Sequence, residues 1–441
     1  MKYPSAVLNR AETVYRFVVS SDRVALTRFR PAFLPGSALH YLVLLILAVF
    51  PFQWLGLDVG TSKFDVSNIA FYMFAVLILF NGNSIQWSNA FKLFFVTYIT
   101  LECIMFLVGP ATLPRFASAF VCLSTILVVF GSRNSLPINA KPAFYIVLIG
   151  VGLVAGSILF GYLVQGQDRP AGLMAEPSVA GLILVGTTAG LLLSSRWAPT
   201  RTRARLSILG GVLFFGVSFF TKSTHILSFV VALTSLGLLS RSINLRTLIL
   251  GGIAMGVLYW LFTYDPHYHS RIDVQDASSN LSLLSWLQGF DQMVASFWRY
   301  PLVGAGLGGT GQFEFYSPYS AELAFLGLSE LNRQDAFSGL FRITIELGPV
   351  LTAAVLCGIG SRLLQLWRAT GSGLLPVCEE SQAQVFLFTF AFTLVFGVLL
   401  KEPTYSRSHF VVGALLFSIV PLRSVIDVPQ SVVQRIAGNG R

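Results

Sequence analysis

The chain has 441 residues, 54% of them hydrophobic and 11% charged, with a mean hydropathy of +0.71, against roughly 25% charged residues in an ordinary soluble domain. That composition excludes a soluble globular enzyme. The formal charge of +10 does not point to nucleic acid, because the basic residues stand between apolar segments instead of clustering on a solvated face among stacking aromatics.

A bilayer core about 30 Å thick takes about 20 mainly apolar residues per helix, since every backbone polar group must be satisfied within the segment. On that rule the sequence predicts an all-α, polytopic membrane protein with about twelve spans. They run approximately over 37–57, 67–82, 90–109, 116–131, 143–163, 178–195, 206–221, 224–240, 247–264, 337–360, 383–400 and 410–422. A basic tail, 1–36, precedes the first span, and no small-residue cleavage site follows that span, so it reads as a retained helix. With this tail in the cytoplasm, twenty of the thirty basic residues, counting Lys92 at the inner edge of its span, fall on the cytoplasmic side and nine outside, with Arg342 inside a span. That bias places both termini, including the tail 423–441, in the cytoplasm. No heptad array, low-complexity tract or duplication of the two halves stands out, and transport is not suggested.

Connections between the spans are short except over 265–336, which the topology puts on the outer side. Long loops on a rigid scaffold are where function concentrates. Within this loop Leu283, Leu287, Phe290, Val294 and Phe297 recur at helical spacing beside Trp286 and Trp298. The pattern predicts an amphipathic helix that lies against the membrane surface or caps a cavity. Pro301-Leu302-Val303-Gly304-Ala305-Gly306-Leu307-Gly308-Gly309 follows. Gly304, Gly306 and Gly309 match G-x-G-x-x-G, but a dinucleotide fingerprint needs a preceding strand and a following helix, and a Walker loop needs Lys-Ser/Thr after the glycines. A tight turn with positive φ is the simpler expectation.

Ionisable residues within spans normally face a cavity or a partner. Arg342 and Glu346 stand at i and i+4, share a helix face and can pair, either as a structural ion pair or as part of a binding site. Near the same outer face lie Glu176 before Pro177-Ser178, Lys222, Arg271 beside His267 and His269, Arg299, Lys401-Glu402, and Arg407 with His409. A hollow lined by such cations is what an anionic lipid-linked substrate would need. His40 and His225 lie in spans and read as packed or hydrogen-bonded. His267 and His269, with Asp265 and Asp273 close in sequence, match no standard ligand spacing, so no metal is expected. Cys103, Cys122 and Cys357 fall in apolar runs, Cys378 in a polar loop, and no C-x-x-C pair exists, which indicates neither a disulfide framework nor a zinc site.

Together these segments carry a resemblance. Pro301 to Gly308 resembles the "nPllGxGlG" signature of the large outer loop in the bacterial O-antigen polymerase and ligase superfamily. Ile345-Glu346-Leu347-Gly348 resembles the "elGllG" that opens the helix after that loop. Ala175-Glu176-Pro177-Ser178 is similar to the "EPS" of the polymerase branch, and Phe220-Thr221-Lys222-Ser223-Thr224 to its "ltxS(R/T)" stretch. The motifs occur in the family's order and cover about 175–350. Two departures favour the Wzy-like polymerases over the ligases. Phe337-Ser338 stands where ligases carry His-Asn or His-Ser, and Ser223-Thr224 replaces the common Ser-Arg.

The resemblance implies a metal-independent, integral-membrane glycosyltransferase of the GT-C type, without cofactor, in the bacterial inner membrane. It would polymerise undecaprenyl-pyrophosphate-linked repeat units on the periplasmic face into O-antigen, capsule or exopolysaccharide, beside a flippase and a chain-length regulator. Without a metal, the charge gathering on the leaving pyrophosphate falls to guanidinium and ammonium groups. Arg271, Arg299 and Arg342 are the first candidates, Lys222 and Arg407 the next. Glu176, His267 and His269 compete as the base for the acceptor hydroxyl. A ligase of the same superfamily, its histidine supplied by His267 or His269, is the first alternative, and a lipid-linked oligosaccharide flippase or other transporter is the second.

Overall fold

The computed structural model describes residues 36–53, 56–59, 62–80, 87–109, 111–133, 138–167, 170–174, 176–216, 280–328, 335–371, 377–402 and 407–421, with isolated positions elsewhere. It is built almost wholly of helices. In chain order these are α1 (Gly36–Val49), α2 (Val66–Phe80), α3 (Asn89–Val108), α4 (Leu113–Gly131), α5 (Ala140–Leu163), α6 (Pro177–Ser194) and α7 (Thr200–Gly216). After a stretch outside the described residues come α8 (Leu281–Arg299), α9 (Pro318–Phe325), α10 (Gly339–Gly371), α11 (Glu379–Lys401) and α12 (Ser408–Ile419). Six helices among the described residues are long and apolar enough to cross a membrane, and α1, α2 and α12 are shorter apolar helices. Nine of the predicted spans overlap these nine helices, while the span predicted at 206–221 overlaps α7, which begins six residues earlier and is not among them. The spans predicted at 224–240 and 247–264 lie outside the described residues.

Local sequence explains the helix ends. Ser88 accepts a hydrogen bond from Phe91 N at the start of α3 and Asn139 from Lys141 N at the start of α5, each satisfying a donor that the first turn leaves free. Pro177 occupies the first position of α6, where its missing N–H costs nothing. The first span is shorter than predicted. Phe50 precedes Pro51 and is steered away from helical backbone, so the chain leaves the helix after Val49. It then satisfies its polar groups in two short antiparallel strands, β1 (Gly56–Val59) and β2 (Ser62–Asp65), an element absent from the sequence expectation.

α6 and α11 form the centre. In their apolar windows 83% and 89% of residues are buried, against 17% in α3 and 33% in α4, which therefore lie at the periphery. Gly186 and Gly190 let α6 approach α11 closely, for a Cβ at Gly190 would stand 2.8 Å from the Phe386 ring. Small residues play this part between membrane helices because lipid supplies no hydrophobic force to drive the helices together.

The helices' two ends differ in chemistry. At one end Lys141 pairs with Glu379, Ala140 N donates to Glu380, and Arg362 donates to the carbonyls of Phe417 and Val420 at 2.9 and 2.7 Å. The described residues between 280 and 338 cover the other end. There Ser338 Oγ donates to Leu399 O, and Trp286 Nε1 donates to Leu400 O in the last turn of α11. Within this roof α8 turns its polar side chains inward. Ser285, Gln288, Gln292 and Ser296 are buried, Gln288 donates to Ser320 Oγ and Gln292 to Arg333 O, each at 3.0 Å, while Trp286, Phe290 and Trp298 face outward.

Candidate functional site at the roofed end

The glycine run of the roof docks on a broken helix. Inside α10, Gly348 has φ 73° and ψ 171° and is followed by Pro349. Proline has no N–H to give to the carbonyl four residues back, which is that of Ile345. Ala305 N supplies the missing bond at 2.7 Å, and Gly306 N donates to Glu346 O at 3.0 Å. Leu307 N donates to Glu102 Oε2 of α3 at 2.9 Å, and Thr310 Oγ1 donates to Glu346 Oε1 at 3.1 Å. Gly304, Gly306 and Gly308 hold φ between 67° and 79°, the left-handed region that glycine adopts without penalty. The expected tight turn is therefore present. Its amides at 305–307 are committed to protein acceptors, so they form no phosphate cradle.

Around this dock stands a cluster of charged side chains. Arg342 Nε donates to Glu346 Oε1 at 3.0 Å, as the i, i+4 spacing predicts, and Arg342 Nη1 reaches Asp335 Oδ1 at 2.8 Å. Glu346 is fully buried, the Arg342 side chain is 15% exposed and Asp335 38%. Further out, Arg407 Nη2 lies 2.9 Å from Glu176 Oε1, with side chains 35% and 50% exposed, and Ser178 Oγ donates to Glu176 Oε2. Asp335 and Glu402 are both close enough to act electrostatically on Arg407. The two ion pairs thus belong to one charged patch, graded from a sealed inner pair to an outer pair that water reaches.

Beneath Arg407 lies a buried group whose members come from separate parts of the chain. Glu402, at the end of α11, has Oε2 2.7 Å from His409 Nε2 in α12 and Oε1 3.3 Å from His225 Nε2. Burial alone would raise the Glu402 carboxyl, but the two imidazoles outweigh it and hold the group well below the usual carboxylate range. Asp65, in β2, accepts from Asn68 N at 3.0 Å at the start of α2 and faces Ser408 and His409; desolvation raises its carboxyl despite these contacts. His225 is packed against a partner, as its position in a span suggested.

No family model matches the chain, and no curated protein matches it. The site therefore rests on its own geometry.

That geometry treats the candidates unequally. Arg342, Arg407 and Glu176 are brought into one patch. Arg299 sits exposed at the end of α8, its guanidinium carbon 6.0 Å from the Tyr300 ring centroid. His269 is exposed. Lys222, His267 and Arg271 lie outside the described residues. Among the described residues no three His, Cys, Asp or Glu side chains are grouped as metal ligands. The expected lining of free cations is not what the patch shows. Each of its guanidiniums is already bound by a carboxylate, and Asp335 is a partner that spacing did not place there.

Proposed function

We propose that this chain is a membrane polysaccharide polymerase with about twelve spans, in the bacterial inner membrane with both termini cytoplasmic, and that its roofed end opens to the periplasm. The basic residues support the orientation. Arg133, Lys141, Arg196, Arg203, Arg205 and Arg368 accompany the end opposite the roof, which the positive-inside bias assigns to the cytoplasm. The substrate class follows from the motif resemblance: glycans linked to undecaprenyl pyrophosphate, delivered by a flippase, with polymer length shared with a chain-length regulator.

One observation carries the reading to particular residues. The Arg407–Glu176 pair is the water-accessible member of the charged patch, stands beside the roof, and joins the two groups that glycosyl transfer from a diphosphate needs. Arg407 offers a planar fork suited to a diphosphate oxygen pair. When the diphosphate takes that fork, Glu176 is released to accept the proton of an incoming sugar hydroxyl. The hydroxyl oxygen then bonds to the anomeric carbon as the bond from that carbon to the pyrophosphate oxygen breaks. The bonding pair leaves with the pyrophosphate, and the anomeric centre inverts. Arg342 sits behind, held by Asp335 and Glu346, and acts through the shape it gives the roof.

The test is direct. Purified protein in lipid discs, supplied with undecaprenyl-pyrophosphate-linked single repeats, should yield a ladder of polymers and release undecaprenyl pyrophosphate. Transfer of a preformed polymer to lipid A core would instead establish the ligase reading, which the exposure of His269 favours as the second choice. Movement of intact substrate across the membrane with no new glycosidic bond would establish a transporter.

A further inference from the structure

We propose that α8 is an in-plane membrane helix: its outer face is embedded in the headgroup and acyl boundary of the bilayer, with lipid as the occupant. A helix packed on a protein core buries its apolar side. α8 does the reverse. Beside Leu284 and Gly289, its buried face carries Ser285, Gln288, Gln292 and Ser296, and hydrogen bonds to Ser320 and to Arg333 O tie that face to the rest of the roof. Its outer face carries Trp286, Phe290 and Trp298, exposed by 36%, 41% and 86%; the first two rest one edge on the Phe341 ring of α10, at 5.1 and 5.9 Å between centroids, and turn the remainder outward. Such a face left in water would be a large apolar patch of the kind that marks an interaction surface.

The height of the helix identifies lipid as the occupant. Trp286 Nε1 donates to Leu400 O, one residue before the end of the spanning helix α11. The end of a spanning helix marks the membrane surface, and tryptophan is enriched there because its ring is apolar and its N–H is polar. Ser338 is tied to Leu399 O in the same turn, so α8 and the start of α10 share that level. Arg299, exposed beside Trp298 at the C-terminal end of α8, is placed to reach lipid phosphate while its stem stays among apolar groups. None of this depends on the reaction proposed above.

The experiment uses the full chain in discs of phosphatidylethanolamine and phosphatidylglycerol. With the four native cysteines replaced, a fluorescent label at Phe290→Cys or Trp298→Cys should be quenched more strongly by lipids brominated near the glycerol end of the acyl chain than by lipids brominated near its tip, as a depth of about 5–10 Å requires. Quenching by a water-soluble quencher alone, or cross-linking of Phe290→Cys between two copies with no lipid quenching, would overturn the proposal. If the labelled variants do not fold, the unlabelled protein decides. The shallow-bromine quenching of its own tryptophans should fall in the Trp286→Phe, Trp298→Phe double variant, and an unchanged quenching profile would refute the placement.

Discussion

Gly304 and Gly348 face each other so closely that a Cβ built on either would stand 2.4 Å from the other's amide nitrogen. One belongs to the roof and the other to the break in α10. Both have positive φ, 67° and 73°. Replacing either by alanine therefore combines a left-handed backbone penalty of about 1–2 kcal/mol with overpacking of about 1–3 kcal/mol. Gly304→Ala and Gly348→Ala should each lower the thermal midpoint and expose residues 301–310 to proteolysis, read by gel after limited digestion. Gly327 also has positive φ, but no atom lies within 4 Å of its built Cβ, so Gly327→Ala should show the backbone penalty alone.

The outer and inner arginines should separate folding from turnover. Arg407→Ala removes an exposed pair, worth little to stability, and is expected to leave expression and thermal midpoint intact while polymer formation falls by about 100-fold or more, the scale of losing one charge-stabilising donor. Arg342→Ala leaves buried Glu346 without its guanidinium and should cost about 3–5 kcal/mol. Adding Glu346→Gln to Arg342→Ala should recover part of that loss, because the two changes share one interaction. Comparing midpoints with turnover of lipid-linked repeats checks both.

Glu176→Gln tests the base directly. The amide keeps the size of the side chain but accepts no proton, so the protein should still bind inorganic pyrophosphate, and more tightly than wild type because Arg407 is no longer neutralised. Turnover should be lost. Weaker pyrophosphate binding than wild type would show that Glu176 holds the diphosphate site open instead of competing for it.

Acid should loosen the junction of α11 and α12. A carboxyl held below its unfolded value contributes stability that is present above the unfolded pKa and is lost as pH falls through the folded one. For Glu402, kept ionised by His409 and His225, that window lies below the ordinary carboxyl value of about 4.3. Asp65 has the opposite sign, since its raised carboxyl costs stability once ionised. Midpoints measured across pH should therefore show Glu402→Gln destabilised at neutral pH and converging on wild type in acid. Asp65→Asn, which keeps an acceptor for Asn68 N, should be at least as stable as wild type at neutral pH.

The membrane helices were legible because an apolar run long enough to span is a coarse signal that tertiary packing does not reverse. α5, α6 and α11 fall within a few residues of the spans drawn from sequence. The Arg342–Glu346 pair was legible for a related reason, since helical spacing alone brings i and i+4 together. Asp335 as its second partner was not, because it depends on how the roof turns back into α10. The break at Gly348-Pro349 lay hidden inside a long apolar run, and only the docked amides of Ala305 and Gly306 show why it is tolerated. The direction of the α8 faces was open too, since periodicity gives the faces of a helix and not which one meets the protein. Glu402, His409 and His225 could not be joined by spacing, because packing brings His225 from a distant part of the chain.

The bond from Ala305 to Ile345 means that roof and bundle are not separable parts. A chimera that borrowed the roof of another protein would leave the carbonyl at the proline step unanswered unless the interrupted helix travelled with it. A changed roof would thus have to be transplanted, or to evolve, as loop and helix together.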